Sequence, residues 1–266
     1  MNIAIVLDDT LLNLSSEYFI EKITSLDKSN YITGVEFSFT KYNENIKKYL
    51  IKFASLCKNY NLTINFRGIY LDLDIQIHIQ YLKLYDSIAK LLGQQINVTY
   101  SSCLNDTLKL SIDDTISKYI TIISYIKENN YNLNICIENL EYLNKPSVKD
   151  IITTILPNVY GLKLSYNIGH ESLIGYSKYD LPSNATKEDY ESIENIYIHD
   201  NDTKYAHLGF NYGNIDLYEV KDFIKSNNYN KQITIDIDLI KVKGDTLEEK
   251  IYNYICEVNK VGFMIK

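Results

Sequence analysis

The chain of 266 residues contains one arginine, Arg67, and four histidines, His78, His170, His199 and His207. A guanidinium presents five N–H donors in a planar fork, which suits bidentate contact with a carboxylate or phosphate. In a chain that otherwise relies on lysine, Arg67 has two readings. It grips an anionic group of a ligand, or it neutralises Glu36 or Glu138 inside the fold, because unpaired carboxylates converging on one axis are costly. His170, His199 and His207 follow late strand-like runs and suit ligand or acid–base roles near neutral pH. His78 opens a helical pattern and is expected on the surface. The cysteines Cys57, Cys103, Cys136 and Cys256 form no CxxC pair and are expected as free, buried thiols.

A polar or ionisable residue recurs where β-branched runs end. Side chains alternate across a strand, so each run aims every second residue to one face. With the bulkier apolar set turned toward helices, the other face carries Asp8, Glu36 and Ser38, Asn65 and Arg67, Cys136 and Glu138, Ser165 and Asn167, Tyr197 and His199, and Thr234, Asp236 and Asp238. The fourth run leaves Tyr100 and Ser101 competing. Asp, Glu, His, Arg and Tyr converging in one concavity are the signature of a small-molecule site; the alternative is a solvated rim.

The runs that must position these groups are Asn2–Leu7, Gly34–Phe39, Leu62–Phe66, Ile96–Tyr100, Leu133–Glu138, Gly161–Ser165, Asn195–His199 and Gln232–Ile237. Between them lie stretches of helical period: Ser15–Leu26, Asn43–Tyr60, Ile77–Leu92, Asp113–Asn129, Val148–Ile155, Asp216–Ser226 and Thr246–Val258. The connection after Gly169-His170 is irregular, with a short helix at best. The spacing of strand starts, roughly thirty residues, is that of a βα unit. Eight such units predict an α/β fold, a closed (β/α)8 TIM barrel forming a single domain over 1–266, with its site at the C-terminal strand ends. An open doubly wound sheet is the alternative, weakened by the lack of a GxGxxG after the first strand; a P-loop is absent too.

Net charge is −7, which gives no broad footprint for nucleic acid. No apolar run approaches the roughly 18 residues of a membrane span. The first residues enter a strand directly, without a basic stretch and signal core. A cytoplasmic protein with neither nucleic-acid nor membrane partners is the expectation.

Several segments resemble the xylose isomerase-like TIM barrels, the superfamily of sugar-phosphate isomerases and epimerases that also includes endonuclease IV. Ile135-Cys136-Ile137-Glu138-Asn139 is similar to the family's fifth-strand motif, and Asn167-Ile168-Gly169-His170 to its sixth-strand Asp-x-Gly-His. Ile196-Tyr197-Ile198-His199-Asp200-Asn201 resembles the seventh-strand motif. The stretch from His207 to Tyr212-Gly213-Asn214-Ile215-Asp216 resembles the loop that follows, Ile235-Asp236-Ile237 the closing strand, and Gly34-Val35-Glu36 the second. The resemblance spans essentially the whole chain.

The resemblance implies a divalent ion (Mn, Zn or Co) held by Glu, Asp, His and Glu, positions that read Glu138, Asn167, Tyr197 and Asp236 here. His199, of the same parity as Tyr197, is the substitute, giving Glu138, Asn167, His199 and Asp236 as an incomplete metal set. Arg67, Tyr100 and Tyr205 stand where the endonuclease IV branch has metal ligands, which excludes a three-zinc centre. The implied activity is isomerisation or epimerisation of a sugar, polyol or sugar phosphate, with Glu138, Asp236 and His199 catalytic. Glu36, Arg67, Tyr100, Asn167, His170, Tyr197 and His207 would bind substrate, and Arg67 would supply part of the lost positive charge. A barrel that binds its carbohydrate without turning it over is the alternative, and a homo-oligomer is allowed by the relatives.

Overall fold

The computed structural model describes residues 1–8, 16–39, 44–101, 110–139, 147–173, 181–202, 204–210 and 212–265. Eight parallel strands follow one another around a closed barrel: β1 Asn2–Asp8, β2 Ile32–Ser38, β3 Thr63–Tyr70, β4 Ile96–Ser101, β5 Leu133–Glu138, β6 Lys163–Asn167, β7 Ile193–Ile198 and β8 Gln232–Ile235. Pairing of Ile3 with Ile233 and of Ala4 with Thr234 closes the ring, so the sheet has no free edge and the open doubly wound alternative is excluded.

The helices Ser16–Leu26, Glu44–Asn59, Ile75–Leu92, Ile112–Glu128, Leu217–Ser226 and Leu247–Ile265 lie between or after the strands. Ser111 caps one of them by accepting the Asp114 N–H. The stretch predicted as a helix over Val148–Ile155 runs through a π-turn at Ile151–Ile155. The irregular connection holds two short helices, Ile168–Leu173 and Lys187–Ser192. Among the described residues no helix is long and apolar enough to cross a membrane.

The apolar parity faces the helices. Ile3, Ile5, Val35, Phe37, Ile64, Phe66, Ile96, Val98, Ile135, Leu164, Ile196, Ile233 and Ile235 are all buried in one cluster with helical residues such as Phe53, Leu82, Tyr119 and Val258. The inward parity is polar through most of its depth, unlike the branched aliphatic filling common in such barrels. Near the bottom, Asn65 bonds Gln232, and the Asn65 carbonyl oxygen accepts the Asn97 N–H at 2.8 Å. One layer higher, the Gln232 amide donates to Thr234 and the Thr234 hydroxyl to Asn195, each at 3.0 Å. Thr99 and Ser165 share a 2.8 Å bond across the axis. These buried polar groups are paired with one another, which is what makes a polar barrel interior affordable.

Four expectations are corrected. His78 is buried: its Nε2 contacts the Leu73 carbonyl oxygen at 3.1 Å, its ring lies 5.5 Å from that of Tyr100, and burial lowers its pKa. It stands one and two turns before Leu82 and Tyr85 on the buried helix face. Tyr100 does not reach the mouth. Its ring packs outward between His78 and Tyr119, since it shares parity with Ile96 and Val98; Thr99 is the inward residue of β4. Strand β8 ends at Ile235, and Asp238 instead caps the turn Leu239–Lys241 by accepting the Ile240 N–H at 3.1 Å. Cys57 and Cys136 are free and buried as expected, whereas Cys256 is half-buried; Cys103 lies outside the described residues.

Candidate functional site

The C-terminal ends of β3, β5 and β8 bring Arg67, Glu138 and Asp236 into direct contact. The Arg67 Nε donates to Glu138 Oε2 at 2.9 Å, Nη2 donates to the other Glu138 oxygen, and Nη1 donates to Asp236 Oδ2. The guanidinium carbon sits 4.4 Å from the centroid of the Tyr197 ring. The neutralising reading of Arg67 is therefore the observed one, with Asp236 as an added partner and Glu36 acting only through space. Three of its five N–H groups are committed, so one on Nη1 and one on Nη2 remain beyond these bonds. The side chain keeps 11 % exposure, compared with 2 % for Glu138 and 7 % for Asp236.

Charge is divided unevenly within this group. Burial pushes Asp236 up, but Arg67 and His207 outweigh it and hold the carboxyl well below its ordinary range. Burial lifts Glu36 to about 8, with Arg67 pulling back only in part. Glu36 is therefore protonated at neutral pH. Its Oε2 accepts from Tyr197 at 3.0 Å and from Asn195 at 3.3 Å, while its Oε1 has no partner among the described residues. Around the centre, the Asn167 amide donates to Glu138 Oε1 at 2.8 Å, and its oxygen accepts the His170 N–H at 3.1 Å.

His170, His199 and His207 come together beside this centre. His199 and His207 stack at 4.1 Å between centroids, and His170 meets them edge-on at 5.4 and 5.7 Å. Burial and the neighbouring imidazoles push His199 well below the ordinary histidine value. Burial also works against His207 as a cation, but the Asp236 charge prevails and raises it. His207 has φ 56°, left-handed backbone uncommon outside glycine.

The loop that presents His207 is built on Asp200. Its carboxylate accepts four backbone N–H groups, from Asn201 at 2.8, Gly213 at 2.8, Ile215 at 3.0 and Tyr212 at 3.2 Å. A β-carbon on Gly213 would overlap the Asn201 carbonyl, and one on Gly169 would strike the His199 ring. These contacts give the Asp-Asn and Gly-Asn-Ile-Asp segments a structural reason. Replacing Gly213 by alanine is expected to open the Asp200 cage and lower stability by about 1–3 kcal/mol, read by thermal or urea denaturation; an unchanged midpoint would show that the loop shifts freely.

Of the residues expected in the site, Glu36, Arg67, Glu138, Asn167, His170, Tyr197, His199, His207 and Asp236 are brought together and Tyr100 is not. Thr99, Asn139 and Glu171 were missed. Glu171 receives the Asn139 amide at 3.2 Å, and burial lifts its carboxyl to about 7. Its signal was its place in the sequence, an acid directly after His170.

The expected ion does not fit its expected ligands. Both Glu138 oxygens and one Asp236 oxygen already receive Arg67 donors. Asn167 turns its amide nitrogen, not its oxygen, toward Glu138. The Tyr197 hydroxyl is committed to Glu36 and Thr99. Among the described residues, the one set of three or more histidine, cysteine or acidic side chains with mutually close donor atoms is His170, His199 and His207, which could hold a metal.

No protein-family model matches the chain, and no curated protein matches it by sequence. Solved structures do match by shape. A D-psicose 3-epimerase from Clostridium cellulolyticum, crystallised with D-tagatose, superposes with a TM-score of 0.69 at 10% identity, covering 100% of both chains. An IolI protein with a bound zinc atom superposes at 0.67 and 14% identity, covering 100% of this chain and 99% of the other. A xylose isomerase domain-containing protein from Salmonella typhimurium gives 0.69 at 12% identity, over 98% of this chain and 96% of its own.

Proposed function

We propose that this chain, whose fold is that of the xylose isomerase-like TIM barrels, isomerises or epimerises a small sugar, polyol-derived ketose or sugar phosphate at the mouth formed by Arg67, Glu138 and Asp236. The observation that carries this reading is a guanidinium clamped between two carboxylates at the C-terminal strand ends, with two N–H groups beyond those three bonds.

The chemistry is proton transfer next to a carbonyl. One carboxylate takes the proton from the carbon alpha to the carbonyl. The C–H electron pair becomes the C=C bond, and the carbonyl oxygen becomes an oxyanion. The free Arg67 donors stabilise that oxyanion. Return of a proton to the opposite face of the same carbon, as the oxyanion re-forms the carbonyl, epimerises the centre. Isomerisation instead protonates the former carbonyl carbon while the proton of the adjacent hydroxyl passes to the oxyanion, so that the new carbonyl forms at the neighbouring carbon. Asp236 is a poor base, because Arg67 and His207 hold its carboxyl well below its ordinary range. Glu138 is therefore assigned the abstraction and Asp236 the clamp on Arg67 from the far side. Neutral His199 and the Asn167 amide keep His207 and Glu138 in place.

The solved structures of similar shape support the substrate class, since one of them is a D-psicose 3-epimerase crystallised with D-tagatose. A second reading, carbohydrate binding without turnover, is favoured by one observation: neither Glu138 oxygen is free of a donor. Incubation with ketopentoses, ketohexoses and their phosphates in D2O separates the two. Turnover predicts deuterium at the carbon next to the carbonyl, seen by NMR, and its loss by a factor of at least 100 in Glu138→Gln. Saturable sugar binding with no exchange in the native protein would replace the first reading by the second.

A further inference from the structure

His78 is the histidine that the mouth does not use. It stands in the first turn of the helix Ile75–Leu92, whose N-cap is Asp74. Its ring turns back past the cap, and Nε2 lies 3.1 Å from the carbonyl oxygen of Leu73. A carbonyl only accepts, so Nε2 carries the ring proton and Nδ1 is the bare nitrogen. That Nδ1 is fully buried and has no hydrogen-bond partner among the described residues. The Tyr100 hydroxyl, on a ring 5.5 Å away, is buried without one as well.

The bond to Leu73 joins two elements. Residues 71–74 form the turn that leaves β3. The Leu71 N–H donates to the Ser101 carbonyl oxygen at 2.9 Å, and the Leu73 N–H to that of Tyr70 at 3.3 Å. His78 ties the far end of the same turn to the helix. The register of β3 against β4 already shifts between Arg67 and Ile69. The turn thus secures an irregular strand end next to the Arg67 centre.

A second proton on the ring is poorly received. It would occupy Nδ1, in a buried site whose neighbouring rings are the phenols Tyr100 and, behind it, Tyr119. The first turn of a helix carries partial positive charge, which disfavours an imidazolium. Lys118, on the neighbouring helix Ile112–Glu128, repels it too. Of the charged groups that act on the ring, Asp74 alone favours the cation, and its Oδ1 already accepts the Gln76 N–H at 2.8 Å.

We propose that His78 is an acid-sensitive latch: neutral, it ties the turn after β3 to the helix, and protonated, it lets that turn and the first turn of the helix open together. Burial outweighs the Leu73 and Leu71 carbonyls and lowers the folded ring from its ordinary value of 6.5, to which the opened ring returns. The hold is therefore complete above pH 6.5 and is lost as the pH falls from there toward the folded value. Each pH unit in that window multiplies the opening constant by up to about tenfold. The latch is independent of the isomerase reading.

Amide hydrogen exchange of the full chain between pH 7 and pH 5, corrected for the intrinsic rate at each pH, tests it. Protection of the Leu71, Ile77 and His78 amides should fall by up to about tenfold per pH unit below 6.5. His78→Gln, which keeps an N–H for the Leu73 carbonyl and cannot gain charge, should remove that dependence. Should the variant not fold, the native chain decides. A fall at these three amides with Ile122 and Ile126 unchanged supports the latch, whereas an equal fall in both helices overturns it. Protection that does not respond to pH, a response that survives in His78→Gln, or a His78 ring titrating by NMR at or above 6.5 would overturn it as well.

Discussion

Arg67→Met is expected to lower folding stability by about 3–5 kcal/mol at neutral pH, because it leaves a buried pair of carboxylates without their cation. Glu138 and Asp236 are 2 % and 7 % exposed, so water cannot replace the three lost hydrogen bonds. The loss carries a pH signature. In the native chain the Asp236 carboxyl sits well below its ordinary range, so its contribution is present above the unfolded carboxylate pKa and fades only as the pH falls toward the folded value. Without Arg67, burial raises the folded pKa of Asp236 against only the pull of His207 and His199. The variant therefore lacks most of the stability that the native chain gains as the pH rises through the ordinary carboxylate range. Urea denaturation at pH 4 and pH 8 should show the gap between native and variant widening with pH. A gap that stays constant, or below about 1 kcal/mol, would mean that Glu138 and Asp236 reach solvent or another donor. Arg67→Lys should recover only part of the loss, since one ammonium cannot span both carboxylates as the fork does.

The sequence makes the barrel readable because the two periods that define it are unbroken. Runs such as Asn2–Leu7 and Leu133–Glu138 are β-branched and short, and the stretches between them repeat at helical spacing. Parity did the rest for Glu36, Arg67, Glu138, Asn167 and Asp236, whose alternate neighbours are Ile, Val, Leu and Phe and turn to the helices. The same rule was available on β4, where Ile96 and Val98 place Tyr100 outward and Thr99 inward; the pull of a phenol toward a polar mouth obscured it. Alternation assigns a face but no partner. Whether Arg67 held a ligand or a carboxylate depended on how far β3, β5 and β8 are staggered around the ring, which is set by the pairing of Ser38 with Arg67 and Glu138 with Ser165. The histidine cluster was less accessible still. His170 sits past the end of β6 and His199 past the end of β7, while His207 belongs to a loop whose path is fixed by four amides on Asp200. No local pattern encodes that convergence.

Glu36 leads to the opposite expectation from Arg67. Glu36→Gln should make the protein more stable at pH 7, by on the order of 3 kcal/mol, although it removes an acid from the centre of the barrel. Burial holds the folded carboxyl at about 8 against an unfolded value of 4.5. Between those values the unfolded chain gives up the proton and the folded chain keeps it, so native stability declines by up to about 1.4 kcal/mol per pH unit from pH 4.5 to pH 8. Glutamine never ionises and keeps an oxygen for the Tyr197 hydroxyl and Asn195 amide. Its own amide nitrogen takes the place of the unpartnered Oε1, which removes about 1 kcal/mol of the gain. The variant should equal or fall slightly below the native protein at pH 4 and overtake it as the pH rises. Denaturation curves that run parallel from pH 4 to pH 8 would instead place a second negative charge inside the ring with Arg67 as its counter-ion. The two sides of the barrel axis thus titrate with opposite consequences. Asp236 holds its charge because the guanidinium touches it, and Glu36 keeps its proton because the guanidinium spends its donors on Glu138 and Asp236.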